Sequence, residues 1–137
     1  MLADKKATPR RILVVDDEES TRLLLARLVS QELGVDAQLA GTCEQALRLA
    51  GAQAYDAILL DLMMPGIGGL EVLRRLRAGP PNATTPVIVV SIVGEKATID
   101  QCMSAGANAY HVKPIRRAEL IAALKAQLES RHKLART

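Results

Sequence analysis

Three four-residue runs, Ile12–Val15, Ala57–Leu60 and Val87–Val90, are apolar at every position. A strand with one face in water alternates apolar and polar residues, so a run without alternation must be covered on both sides. That requirement selects a parallel sheet with helices on both faces. The segments between the runs agree with it. Leu24 and Leu28, and Leu25 and Val29, recur at i,i+4 within 20–33; Ile99, Cys102 and Met103 share a face within 95–105; Leu120, Leu124 and Leu128 are in register within 116–130. The pattern predicts strands at 10–15, 35–40, 55–60, 86–91 and 109–112, and helices at 20–33, from Thr42 to Gly51, at 70–78, at 95–105 and at 116–130. Thr42-Cys43-Glu44-Gln45 reads as a capping box. Gly34, Gly51, Gly79 and Gly106 follow helices and read as left-handed stops.

Strand order follows from polarity. The second strand carries Asp36 and Gln38, and the fifth carries Tyr110 and His111, so both belong at edges. With right-handed crossovers, the expected fold is α/β: a doubly wound, flavodoxin-like, five-stranded parallel sheet of order 2-1-3-4-5 with five helices. One domain is expected over 10–130, preceded by a disordered basic lead at 1–9 and followed by a basic tail at 131–137 that frays.

Composition excludes several classes. Aromatic content is 1%, with two Tyr and no Trp or Phe, so there is no platform on which bases or flavins could stack. The net charge of +3 is segregated. Both ends are basic, and the body is acidic, with Asp16-Asp17-Glu18-Glu19 its densest run. Basic ends of this kind are expected to be solvated, and direct nucleic-acid binding is not expected. Cys43 and Cys102 lack metal-ligand spacing and are expected as free thiols in a reducing compartment. No apolar run reaches membrane-spanning length, and the apolar stretch after the basic start is too short for a signal peptide, so a cytoplasmic location is expected.

The ends of the strands carry the chemistry. The first apolar run ends in Asp16-Asp17, the third strand in Asp61, the fourth in Ser91 and the fifth in Lys113-Pro114. In the expected order all of these meet at the carboxyl edge of the sheet, where open α/β sheets bind ligands. Close carboxylates need a compensating cation, and an all-oxygen cluster suits Mg²⁺. A divalent metal, an ammonium and a hydroxyl around Asp61 make a receptacle for a phosphoryl group on that carboxylate.

Four stretches and Ser91 together resemble the receiver domains of the two-component response-regulator family. These are Ile12-Leu13-Val14-Val15-Asp16-Asp17-Glu18, Asp61-Leu62-Met63-Met64-Pro65-Gly66 through Gly69-Leu70-Glu71, Gly106-Ala107, and Tyr110-His111-Val112-Lys113-Pro114. The resemblance spans about residues 10 to 130. It implies that Asp61 accepts a phosphoryl group from a histidine kinase or phosphotransfer protein. It implies that Asp17, Asp61 and the Met63 main-chain carbonyl ligate Mg²⁺, with Asp16 holding a metal-bound water. Lys113 would bind a phosphoryl oxygen, the Lys113–Pro114 bond would be cis, and Ser91 and Tyr110 would form a switch pair. The fourth helix, fifth strand and fifth helix would signal to a downstream protein or output domain.

Within that frame, Met63 and Val93 should flank the approach of water to the phosphorus, with Ile92 at the same entrance where the family usually has a small residue. Asn108-Ala109 stands where one branch of the family has an acidic pair, and the oligomeric state is left open. Two other functions share the pattern. A metal-dependent phosphohydrolase would need a general acid at position 63, which is Met63. An unphosphorylated interaction module of the same fold would not need the set of site residues. The reading is therefore a signalling domain that catalyses only its own phosphorylation and slow dephosphorylation.

Overall fold

A computed structural model of the chain describes residues 10–136, with side-chain surroundings as far as Arg131. The lead at 1–9 and Thr137 lie outside the described residues. The elements alternate: β1 (Ile12–Val15), α1 (Glu19–Leu33), β2 (Gln38–Ala40), α2 (Cys43–Ala52), β3 (Ala57–Leu60), α3 (Gly68–Arg77), β4 (Val87–Ser91), α4 (Lys96–Ser104), β5 (Ala109–Val112) and α5 (Arg117–Arg136). All pairings are parallel, and the sheet order is β2-β1-β3-β4-β5, as the polarity of the strands requires.

The side-chain period of two divides each central strand between two cores. Leu13, Val15, Ile58, Leu60, Val87 and Val89 face Cys43, Ala46, Val72, Leu73 and Cys102, so α2, α3 and α4 cover one face. Ile12, Val14, Leu59, Ile88 and Val90 face Leu25, Leu28, Val29, Leu120, Leu124 and Leu128, so α1 and α5 cover the other. Every residue of β1, β3 and β4 is buried, while β5 is only half-covered along its length. Each fully buried Leu, Ile or Val contributes about 1.5–3 kcal/mol relative to exposure, and these runs are the main source of stability. Both cysteines are free and buried.

Several boundaries differ from the sequence expectation, each for a local reason. β2 begins at Gln38 rather than residue 35, because its only partners are Leu13, Val14 and Val15. α2 runs through Gly51 to Ala52, so Gly51 is not its stop. Only Gly34 and Gly106, of the four glycines after helices, have positive φ; α3 ends instead on right-handed Ala78, before Gly79. The capping box is half-formed as expected: the Gln45 N–H donates to Thr42 Oγ1 at 3.0 Å, but the Gln45 side chain accepts from Gly41 rather than Thr42. α5 continues to Arg136, past the expected end at residue 130. Lys, Leu, Ala and Arg at 133–136 are all strong helix formers.

At the far edge of the sheet a buried polar hub replaces the simple breaker that Gly79-Pro80-Pro81-Asn82 suggests. Asn82 is 1% exposed. Its Oδ1 accepts the Tyr55 N–H at 2.8 Å, and its Nδ2 donates to the Ala50 and Gln53 carbonyls at 2.6 and 3.0 Å. Thr85 Oγ1 lies 2.8 Å from Asn82 Oδ1 and 3.1 Å from the Tyr55 carbonyl. The hub joins the end of α2, the entry to β3 and the entry to β4. Asn82→Ala would strand a buried N–H and two carbonyls, and should cost about 3 kcal/mol of stability with no change in the spectroscopic signature of the folded state. A urea titration monitored by circular dichroism measures this; a loss below about 1 kcal/mol would show that water replaces the amide.

Candidate functional site

Register places the acids. Val15 pairs with Leu60, so Asp16 and Asp61 leave the sheet side by side, and the Asp61 N–H donates to the Val15 carbonyl at 2.9 Å. On the other side, Ser91 pairs with Val112, and the Lys113 N–H donates to the Ser91 carbonyl at 2.8 Å. Adjacent parallel strands thus deliver Asp16-Asp17, Asp61, Ser91 and Lys113 to one edge. Asp16, Asp17, Glu18, Asp61, Met63, Ile92 and Lys113 line a single open cleft there. Cis peptide bonds precede Pro114 beside it and Pro81 at the opposite edge.

Asp16 is 1% exposed and Asp61 5%, while Asp17 is exposed. Lys113 Nζ sits 3.0 Å from Asp16 Oδ2 and 3.9 Å from Asp61 Oδ1, so its closer partner is Asp16. Asp16 Oδ1 accepts the Glu18 N–H at 2.9 Å, and Asp61 Oδ1 accepts the Met63 N–H at 3.3 Å. Burial pushes the Asp61 carboxyl from 3.8 up to about 6, and the neighbouring charge of Asp16 adds to the rise; Lys113 and the Met63 N–H pull the other way. One oxygen from each of Asp16, Asp17 and Asp61 lies within 4.8 Å of the others. Such an all-oxygen, multiply anionic donor set fits a hard divalent cation such as Mg²⁺.

The loop after Asp61 is shaped by glycine. A Cβ on Gly69 would stand 2.2 Å from the Asp61 carbonyl oxygen and 2.7 Å from Leu62 Cα, so only glycine lets α3 start this close to the strand end. The Gly69 N–H donates to the Leu62 carbonyl at 2.9 Å, and Cys43 Sγ lies 3.6 Å from the Pro65 carbonyl. Met63 is left 55% exposed and Ile92 68%, two apolar side chains on the rim of an acidic cleft.

Val93, expected beside them, does not line the cleft; its main chain is engaged elsewhere. Its N–H donates to Ser91 Oγ at 3.1 Å, and its carbonyl accepts the Tyr110 hydroxyl at 2.5 Å. Ser91 is fully buried, Tyr110 is half-buried, and burial raises the Tyr110 phenol above its ordinary value. Ser91 and Tyr110 are therefore linked through one residue of the β4–α4 loop.

Gly69, part of the stretch after Asp61 that carries the resemblance, owes its place to this close approach. No sequence signal pointed to Arg22, which reaches from α1 to the main chain of Asp16. Asn108, in place of an acidic residue, takes up the Val87 N–H at 2.8 Å and the Arg77 guanidinium at 3.0 Å.

Comparison with known proteins is consistent along the whole fold. The sequence profile of the response regulator receiver domain matches residues 12–125. The chain is similar to the sensory/regulatory protein RpfC of Xanthomonas campestris pv. campestris, 37% identical over 113 residues, which is 81% of this chain and 15% of that protein. It is also similar to the transcriptional regulatory protein ResD of Bacillus subtilis, 40% identical over 119 residues, 86% of this chain and 48% of that protein. The chain thus spans about half or less of these relatives. Among solved structures, the receiver domain of sensor histidine kinase PA1611 from Pseudomonas aeruginosa PAO1 superposes with a TM-score of 0.81 at 30% identity, covering 89% of this chain and 99% of that one; it was solved with a magnesium ion coordinated in its active site cleft.

The raised Asp61 carboxyl has a consequence for stability. Its folded-state value lies above its unfolded one, so its ionisation opposes folding. No penalty exists below about pH 4, the penalty develops up to about pH 6, and it is constant above that. In EDTA at pH 8, Asp61→Asn should therefore be more stable than wild type by about 1–3 kcal/mol, with the two proteins converging at pH 4. Urea midpoints at the two pH values check this; equal stability at pH 8 would show that Asp61 is not strained when ionised.

Proposed function

Because the chain belongs to the response regulator receiver domain family, we propose that it works as a phosphorylatable signalling switch with Asp61 as the acceptor. The observation that carries this reading is the buried Asp61, set among Asp16, Asp17 and Lys113 at the carboxyl edge of the sheet. The donor is a histidine kinase or phosphotransfer protein. An Asp61 oxygen attacks the phosphorus, the phosphorus–nitrogen bond to the donor imidazole breaks, and its electron pair stays with the imidazole. Asp17, Asp61 and the Met63 carbonyl would hold Mg²⁺, with Asp16 holding its water; the metal supplies charge neutralisation for the carboxylates and the phosphoryl oxygens when bound. Lys113 exchanges part of its interaction with Asp16 for a phosphoryl oxygen. Ser91 donates a hydrogen bond from its hydroxyl to another. Met63 has no proton to give, which argues against a phosphoester hydrolase.

Ser91 and Tyr110 carry the change outward. When the Ser91 hydroxyl turns to the phosphoryl group, the Val93 N–H loses its acceptor, and the loop whose carbonyl holds Tyr110 is freed to shift. Tyr110 has an apolar body and a polar tip, so it can settle inward or outward. The α4–β5–α5 face then presents a different surface to a downstream target or output domain. Structures with and without a phosphate mimic, showing Tyr110 and the β4–α4 loop unchanged, would overturn this coupling. Among the described residues no helix is long and apolar enough to cross a membrane.

Two measurements test the reading. Asp61→Asn is nearly isosteric and should stay folded yet take no label from a phosphodonor; labelling at the wild-type rate would reassign the acceptor. The phosphorylated state should also be long-lived, because Met63 and Ile92 on the rim cannot orient a water for attack on phosphorus. Met63→Asn should speed decay in excess Mg²⁺ about tenfold, equivalent to about 1.4 kcal/mol of barrier. A wild-type half-life of seconds, or no acceleration in the variant, would show that the water is controlled elsewhere.

A further inference from the structure

Arg22 lies in the first turn of α1 and is half-buried. Its Nη1 donates to the Asp16 main-chain carbonyl at 2.7 Å. The guanidinium crosses directly over Gly41: a Cβ there would stand 2.9 Å from Nη1 and 3.4 Å from Cζ. Gly41 has no positive φ, so the absence of a side chain at 41 answers to the crossing and not to backbone strain. Asp16 is then fixed at every polar atom. Its N–H donates to the Ala40 carbonyl at 3.1 Å, its carbonyl is held by Arg22, and its two carboxylate oxygens are held by the Glu18 N–H and by Lys113.

Asp17 is different. It is exposed, and among the described residues its side chain has no hydrogen-bond partner. Its direction depends on the peptide unit that carries it, and that unit contains the Asp16 carbonyl. We propose that Arg22 is a positioning residue for the acidic cleft: by clamping the Asp16–Asp17 peptide plane, it aims the exposed Asp17 carboxylate at the divalent cation. The inference rests on the reading of Asp16 and Asp17 as metal-holding residues.

Charge and position make opposite demands here. A guanidinium near the cleft repels a cation, so on charge alone its removal would tighten Mg²⁺ binding. Removal of a clamp behind a ligand typically weakens metal affinity about tenfold or more. Gly41→Ala separates the two, since it displaces the guanidinium while leaving its charge in place.

The test is Mg²⁺ affinity of the EDTA-stripped full chain by isothermal titration calorimetry, at a temperature where thermal melts show each variant folded. Arg22→Met and Gly41→Ala should each weaken Mg²⁺ binding about tenfold, and Arg22→Lys, which keeps a donor of similar reach, should restore most of it. Arg22→Met binding Mg²⁺ as well as or better than wild type, with Gly41→Ala unchanged, would overturn the proposal and leave the guanidinium as a local charge. Asp17→Asn serves as the control for the premise. Unaltered affinity in that variant would remove the metal assignment itself, and with it the role of Arg22.

Discussion

A carboxylate buried beside other carboxylates is the constraint on which the rest of this molecule depends. Asp61 is almost wholly out of water and next to Asp16, and Lys113 is the cation that reaches both. Burial raises the Asp61 carboxyl and the charge of Asp16 adds to the rise; the ammonium sits nearer Asp16, so its opposing pull on Asp61 does not cancel them. Such a group is poised to gain from any added positive charge or from loss of its own. The instability is local because the parallel sheet beneath it is rigid: every residue of three adjacent strands is buried on both sides.

The two faces of that sheet have different relations to the site. The α1/α5 face is closed by aliphatic packing and by Arg117 of α5, which binds Glu32 of α1 through Nε at 3.0 Å. The α2/α3/α4 face holds the loops that frame the cleft, including the Gly69 close approach and the Cys43 contact with Pro65. Tyr110 packs against this second core. The loops that frame the cleft and the Tyr110 ring thus lie on the same face of the sheet.

The sheet order and the meeting of the strand ends were legible in the sequence, because unbroken apolar runs have only one kind of home and each ends on a polar residue. The edges were legible from Gln38 and His111. What was not legible depends on tertiary neighbours. Asn82 looks like a turn former after two prolines, and nothing local says that its amide is buried and fully used. Gly51 looks like a helix stop, yet the backbone there stays helical because Ala50 and Gln53 carbonyls are held by Asn82 further on. Arg22 looks like a solvated residue of an amphipathic helix, and its reach to Asp16 depends on Gly41, nineteen positions on in the chain. Val93 belongs to the site through its main chain, which no side-chain pattern reveals.

The poverty in aromatic residues turns into an experimental asset. With no Trp or Phe, the two tyrosines carry all of the benzenoid ring signals of the chain, and they occupy contrasting places. Tyr55 is 1% exposed, with its hydroxyl bonded to Gln38 and its carbonyl and N–H tied to the Asn82 hub at the edge remote from the cleft. Tyr110 is half-buried against the α2/α3/α4 core, with its hydroxyl donating to a loop carbonyl. Ring-labelled tyrosine would thus give a spectrum of two resonance sets, one a built-in standard and the other a gauge of the β4–α4 loop. The protein can be watched without adding any foreign probe.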